Sequence, residues 1–67
     1  DDRRKQSLHN LAERVSQRVV RTGRSIELEP MNPRERRLVH MFLADESGVY
    51  TESSGSGSDR KIVIFPS

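Results

Sequence analysis

The hydrophobic positions in the first third of the chain recur at helical spacing. Between Arg3 and Thr22 the apolar side chains fall three or four residues apart, at Leu8, Leu11, Ala12, Val15, Val19 and Val20. This spacing is typical of one face of a helix. Gly23 follows as a residue that suits a left-handed C-cap, and Arg18 and Arg21 favour the negative end of the helix dipole. The pattern predicts a first helix that ends near Thr22.

Three later segments have strand character. Residues 25–30 alternate apolar and polar side chains with period two, and Pro30 should stop that strand. Residues 49–53 and 60–65 are rich in β-branched and aromatic side chains. A Gly/Ser-rich stretch, residues 54–59, joins them. Because one strand is too little for a second domain, we interpret the stretch as the tip of a hairpin and not as an interdomain linker.

A second helix is predicted between the first two strands. Asn32 is a good N-cap, Pro33 suits the first helical position, and Glu35 stands where a capping box requires it. The helix should therefore begin at Pro33 and end around residues 44–46. Its apolar side chains form a single stripe, made of Leu38, Val39, Phe42 and Leu43.

The predicted order of helix, strand, helix, strand, strand indicates an α+β domain with two helices on one face of a small sheet. A chain of 67 residues with 31% hydrophobic side chains is one small domain with a thin core. The absence of cysteine excludes disulfides and thiolate metal sites and is compatible with the cytoplasm. The sequence contains neither a signal peptide nor an apolar run near the roughly 18 residues of a membrane span, so we expect no membrane partner.

The basic residues suggest a polyanion as ligand. Arginine supplies ten of the twelve basic residues, and its guanidinium suits bidentate phosphate contacts. On a helical wheel Arg36 and His40 fall together on one flank of the second helix, both reaching solvent, and Arg37 lies nearly opposite the core. Arg34, Arg36, Arg37 and His40 lie within two turns of this helix, Arg60 and Lys61 start the last strand, and Arg24 precedes the first. If these elements meet, they form a basic patch, although basic residues on a wet helix face need no purpose.

A resemblance to a known family rests on three features: the stretch LEPMNPRERR, the pair Arg36-x-x-x-His40, and the closing RKIVIFP. Together they resemble the R3H domain, and more narrowly the C-terminal R3H domain of bacterial Jag (SpoIIIJ-associated) proteins. The resemblance covers nearly the whole chain. It implies a three-stranded sheet with two helices on one side, and binding of single-stranded nucleic acid, RNA or DNA. Arg36 and His40 are then the motif pair, supported by Arg37, Arg60 and Lys61.

The resemblance also implies a larger context. In Jag proteins this domain follows a KH domain, within an RNA-binding protein that is tied to cell elongation and division and pairs with a small KH-domain protein. We therefore expect residues 1–67 to be a single R3H domain of a longer protein. Arg36 should hold a phosphate while His40 donates a hydrogen bond to phosphate, sugar or base, with low sequence specificity. If His40 acts as a cation, affinity should rise as the pH falls from about 8 to about 6.

Other interpretations of these residues stay open. A basic helix face can dock an acidic protein partner. An enzyme would use His40 as general acid or base and Arg36 as electrostatic stabiliser, with His9 as a second histidine. We expect no catalysis, cofactor or metal, because His9 is explained as a solvated residue of helix one and two histidines fall short of a zinc site. Phe65 replaces a basic residue common in the family; like Tyr50, it either stacks on a base or packs at the core edge, and packing is our expectation.

Overall fold

The computed structural model describes residues 2–67, and its elements follow the predicted order. They are helix α1 (Asp2–Thr22), strand β1 (Ile26–Glu27), helix α2 (Pro33–Leu43), strand β2 (Val49–Ser54), a single 3₁₀ turn (Gly57–Asp59) and strand β3 (Lys61–Pro66). The three strands form one antiparallel sheet in the order β1-β3-β2. Both helices pack against this sheet. The predicted α+β class and the hairpin of the last two strands are confirmed.

The inner face of the sheet and one line of side chains on each helix form the core. Along β2 burial alternates, so Val49, Thr51 and Ser53 turn inward while Tyr50, Glu52 and Ser54 are exposed. The fully buried side chains with the largest volumes come from both helices and the central strand: Leu8, Val19, Val39, Ile62 and Ile64. The α2 stripe is confirmed only in part, because Val39 and Leu43 are buried whereas Leu38 and Phe42 are half-buried.

The buried face of α1 is displaced from the predicted one. Leu11 is 36% exposed and Val20 is 54% exposed, although both belong to the predicted apolar face. Ser16 is buried instead, and its hydroxyl donates to the Glu13 carbonyl oxygen at 2.8 Å. Because Ser16 lies two turns beyond Leu8 and one turn beyond Ala12, it continues the line that faces the sheet. A hydroxyl that bonds within its own helix can be buried at little cost, which hydrophobicity alone does not reveal.

Strand β1 is shorter than the predicted strand over residues 25–30. Only Ile26 and Glu27 pair with β3 as a strand. The backbone nevertheless follows β3 further, since Leu28 N–H donates to the Ile62 carbonyl at 2.9 Å and Met31 N–H donates to the Arg60 carbonyl at 3.2 Å. Pro30 has no N–H to contribute, so the regular ladder ends early. This extended segment holds the start of α2 against the beginning of β3.

The predicted end of α1 and the predicted start of α2 are confirmed, whereas α2 ends at Leu43, just before the predicted residues 44–46. Gly23 has a φ of +71°, and its N–H donates to the Val19 carbonyl at 2.8 Å, which closes α1. At the start of α2 the Asn32 side chain accepts from the Glu35 N–H at 2.8 Å. The Glu35 carboxylate accepts in turn from the Asn32 N–H at 3.4 Å. The capping box therefore fixes where α2 begins and which side of it carries each later residue.

Candidate nucleic-acid interface

Helix α2 presents two different flanks beside its buried line. On the flank that faces α1, Phe42 packs edge-on against the His9 ring, with centroids 4.8 Å apart. On the flank that faces β2 lie Arg36 and His40, both half-buried. The remaining side is exposed and carries Arg34, Arg37 and Met41. Arg36 and His40 thus lie side by side as predicted, on the flank of α2 that meets the edge of the sheet.

His40 is held by two hydroxyl groups of β2. Its Nδ1 lies 2.6 Å from Thr51 Oγ1, and its Nε2 lies 3.2 Å from Ser53 Oγ. Thr51 and Ser53 are two residues apart on one strand, so both side chains project from the same face toward α2. The expectation that His40 simply reaches solvent is therefore wrong, because a helical wheel does not show the neighbouring strand. The alternation of side chains along β2 could have predicted that both hydroxyls point inward. It could not have predicted that they lie opposite His40.

Arg36 is anchored beside the first turn of α2. Its Nη1 donates to the Met31 carbonyl at 2.5 Å. A guanidinium carries five N–H donors in a rigid fork, so this bond orients Arg36 and leaves most donors for a ligand. A shallow cleft lies between the start of α2 and the hairpin tip, and its lining includes Pro33, Arg36, Gly57 and Ser58. Arg36 is thus half-buried and does not project freely into solvent, in contrast to the sequence expectation.

The other predicted basic positions are spread over different surfaces. Arg60 Nη1 donates to the Gly55 carbonyl at 2.7 Å and so braces the hairpin tip. Lys61 forms an ion pair with Glu27, on the outer face of the sheet away from the helices. Arg24 is exposed just before β1, at the sheet edge opposite β2. The structure therefore brings Arg36, His40 and the hairpin together, while Lys61 and Arg24 lie elsewhere.

Glu35, the single carboxylate of α2, points away from the His40 flank. Its Oε2 accepts from Arg4 Nε at 2.7 Å, which ties the start of α1 to the start of α2. The hydrogen bond from Arg4 holds the pKa of the Glu35 carboxyl below its usual range, and the Asn32 N–H contributes in the same direction. The same bond raises the pKa of Arg4. Because Arg4 neutralises Glu35, the exposed side of α2 remains positive through Arg34 and Arg37.

Comparison with known proteins shows to which family the chain belongs. The sequence pattern of the R3H domain matches residues 6–66, which is nearly the whole chain. The chain belongs to the R3H domain family. This agrees with the resemblance found in the sequence, and the Arg-x-x-x-His pair of this R3H domain lies on the α2 flank that meets β2.

The relatives of this R3H domain carry one shared name. RNA-binding protein KhpB of Clostridium symbiosum is 44% identical over 63 residues, which cover 94% of this chain and 28% of that protein. KhpB of Bacillus subtilis is 38% identical over 64 residues, covering 92% of this chain and 31% of that protein. KhpB of Lactiplantibacillus plantarum is 38% identical over 63 residues, covering 94% of this chain and 20% of that protein. The chain thus spans less than a third of the length of each of these relatives.

The aromatic side chains of the R3H domain lie away from the Arg36–His40 flank. Tyr50 and Phe65 are cross-strand partners on the outer face of the sheet, and their rings stack 5.1 Å apart at 16°. Tyr50 is 48% exposed and Phe65 is half-buried. Phe65 therefore packs on Tyr50 and not on the core between sheet and helices. Neither ring shares a face with His40.

Within residues 2–67 no three His, Cys, Asp or Glu side chains are grouped so that they could hold a metal ion. In the same range, no helix is both long and apolar enough to cross a membrane.

Proposed function

We propose that this R3H domain binds single-stranded nucleic acid, RNA in the cell, through a surface made by the α2 flank and the hairpin. We call this the α2–hairpin surface and define it by Arg36, His40, Thr51, Ser53 and Arg60. The observation that carries the proposal is the convergence of the Arg36–His40 pair with the β2 hydroxyls and the hairpin tip. The name of the relatives, RNA-binding protein KhpB, supports RNA as the ligand.

The chemistry of this surface suits a sugar-phosphate backbone. The Arg36 fork grips phosphate oxygens, while Arg34 and Arg37, exposed on the adjacent side of α2, add long-range attraction. Hydroxyl groups supply further hydrogen bonds to phosphate or sugar. Because contacts to the backbone do not read bases and the aromatic pair lies on another face, we expect low sequence specificity.

The proposal includes a binding role and not a catalytic one. His9 packs on Phe42 on the α1-facing flank of α2, whereas His40 bonds to β2 on the opposite flank. The two histidines therefore face different surfaces, and a shared acid-base site is disfavoured. In the longer protein we infer an upstream KH domain, a small KH-domain partner, a cytoplasmic location and a role in cell shape, all implied by the Jag resemblance. A second module would raise the local RNA concentration at this small surface.

Fluorescence anisotropy tests the proposal. The labelled ligands are single-stranded RNA, single-stranded DNA and duplex DNA, each at two salt concentrations. We expect single strands to bind, with affinity falling steeply as salt rises. Arg36→Ala should weaken binding about tenfold, since hydrogen bonds to a charged group contribute about 1.5–3 kcal/mol. Arg36→Lys keeps the charge without the fork and should recover only part of the loss.

The matched control is Arg24→Ala, which removes the same charge at the opposite sheet edge and should retain most of the affinity. Equal losses in Arg36→Ala and Arg24→Ala would contradict a localised site. Absence of binding at low salt would instead favour the alternative, in which the exposed basic side of α2 docks an acidic protein. RNA cleavage that disappears in His40→Ala would contradict the binding-only role.

A further inference from the structure

The two hydrogen bonds of His40 leave its ring without a nitrogen for a ligand. Nδ1 is engaged by Thr51 and Nε2 by Ser53. A direct bond from the ring to a phosphate would have to break one of these contacts. Thr51 and Ser53 are half-buried residues, so part of each side chain is accessible beside the α2 flank. The groups that can meet a bound strand at this point are therefore the hydroxyls.

The charge of His40 decides how many hydroxyl protons face outward. A neutral imidazole has one N–H donor and one bare acceptor nitrogen, so one hydroxyl must donate its proton into the ring. A cationic imidazole donates from both nitrogens, and both hydroxyls then accept from it. Each hydroxyl keeps its own proton for another acceptor in that state. Cationic His40 thus provides two outward O–H donors where neutral His40 provides one.

We propose that Thr51 and Ser53 contact the phosphate oxygens of the bound strand, and that His40 is a positioning residue that directs their O–H groups. This inference rests on the proposed function of the α2–hairpin surface. Its ligand is a phosphodiester, because a negatively charged oxygen accepts from a hydroxyl most strongly. Protonation of His40 and binding of the strand then favour each other through the two hydroxyls.

Charged and titratable groups lie around His40 on the elements packed against it. On α2 itself Arg36 lies one turn earlier, and Arg37 is exposed. The carboxylate of β2, Glu52, points to the outer face of the sheet, as Tyr50 does. The inner face of β3 presents Ile62 and Ile64, and Arg60 bonds to the hairpin tip. From α1, Arg4 and His9 lie on the other flank of α2.

Removal of the hydroxyls tests the inference. We compare affinity for labelled single-stranded RNA at pH 6 and pH 8 in wild type, Thr51→Val, Ser53→Ala and the double variant. The affinity of the double variant for RNA at pH 6 should be about tenfold lower than that of wild type, as expected for lost hydrogen bonds to a charged group. Its affinity should also depend much less on pH. Thr51→Ser keeps a hydroxyl and should bind like wild type. Ser54→Ala removes a hydroxyl from the outer face of β2 and is the matched control.

Three outcomes would overturn the inference that the two hydroxyls contact the phosphate. If the His40 ring itself contacts the phosphate, loss of the hydroxyls frees its N–H groups, and affinity stays constant or rises; that result would overturn the inference. Ring ¹⁵N shifts of His40 should also change in the double variant, because both ring contacts are lost, and unchanged shifts would count against it. Wild type that binds and weakens with Arg36→Ala, with the double variant unaffected, would defeat this inference alone. Wild type that binds no RNA would defeat the proposed function as well.

Discussion

At the residue scale, Asn32 and Glu35 determine how α2 presents its basic side chains. The Asn32 side chain accepts from the Glu35 N–H, and the Glu35 carboxylate receives both the Asn32 N–H and Arg4. These bonds lie one residue before Arg36, whose own guanidinium returns to Met31. The start of α2 is therefore one connected set of hydrogen bonds that places Arg36 beside the hairpin.

Loss of the helix cap should lower stability. Asn32→Ala leaves the Glu35 N–H without its side-chain acceptor, and we expect a loss of about 1 kcal/mol in the free energy of unfolding. Urea denaturation measures the change. Asn10→Ala, on the exposed part of α1, should stay within about 0.5 kcal/mol of wild type. Equal losses in both variants would contradict a specific capping role.

The Arg4–Glu35 ion pair predicts an acid-sensitive contribution to stability. Because the hydrogen bond from Arg4 lowers the pKa of Glu35, the folded state binds fewer protons there than the unfolded state. The contribution is complete above the ordinary pKa of 4.5 and is lost as the pH falls through the lower folded value. Urea midpoints at pH 7 and pH 3 should therefore differ less in Glu35→Gln than in wild type. A larger difference between the two urea midpoints in Glu35→Gln than in wild type would contradict this prediction.

At the element scale, the sheet decides which helix side chains are buried. Ile64 on the central strand has 0% exposure, whereas Val20 on α1 is 54% exposed. Ile64→Val should cost about 1 kcal/mol through the cavity it leaves. Val20→Ala should change stability by at most about 0.5 kcal/mol, since the side chain is largely in water. Thermal or urea unfolding measures both, and a larger loss for Val20→Ala would favour the apolar face predicted from sequence.

Local sequence signals predict the helices and strands better than they predict the contacts between these elements. Asn32, Pro33 and Glu35 predict the start of α2 because a cap depends on neighbours in the chain. The length of β1 and the partners of His40 depend on β3 and β2, which are distant in sequence. The wheel placed Arg36 and His40 side by side, but the strand beside them is a tertiary feature. The position of Thr51 and Ser53 opposite His40 could therefore be found only in the structure.

At the scale of the whole molecule, the two sides of the fold differ in chemistry. The α2–hairpin surface combines Arg36, Arg60 and the hydroxyls around His40. The outer face of the sheet carries the stacked Tyr50–Phe65 pair and the Lys61–Glu27 ion pair. A strand of nucleic acid would meet guanidinium and hydroxyl groups on the first surface, and the Tyr50 and Phe65 rings on the second. Which surface binds is thus the central question for this R3H domain.

Nuclear magnetic resonance of side chains during titration with single-stranded RNA tests this claim most directly. The signals to follow are the Arg36 Nε–H group and the His40 ring on one surface, and the Tyr50 and Phe65 rings on the other. We predict that the Arg36 and His40 signals shift together with the amides of residues 51–60, while both aromatic rings stay unchanged. Shifts confined to Tyr50 and Phe65, with Arg36 and His40 unaffected, would contradict the account.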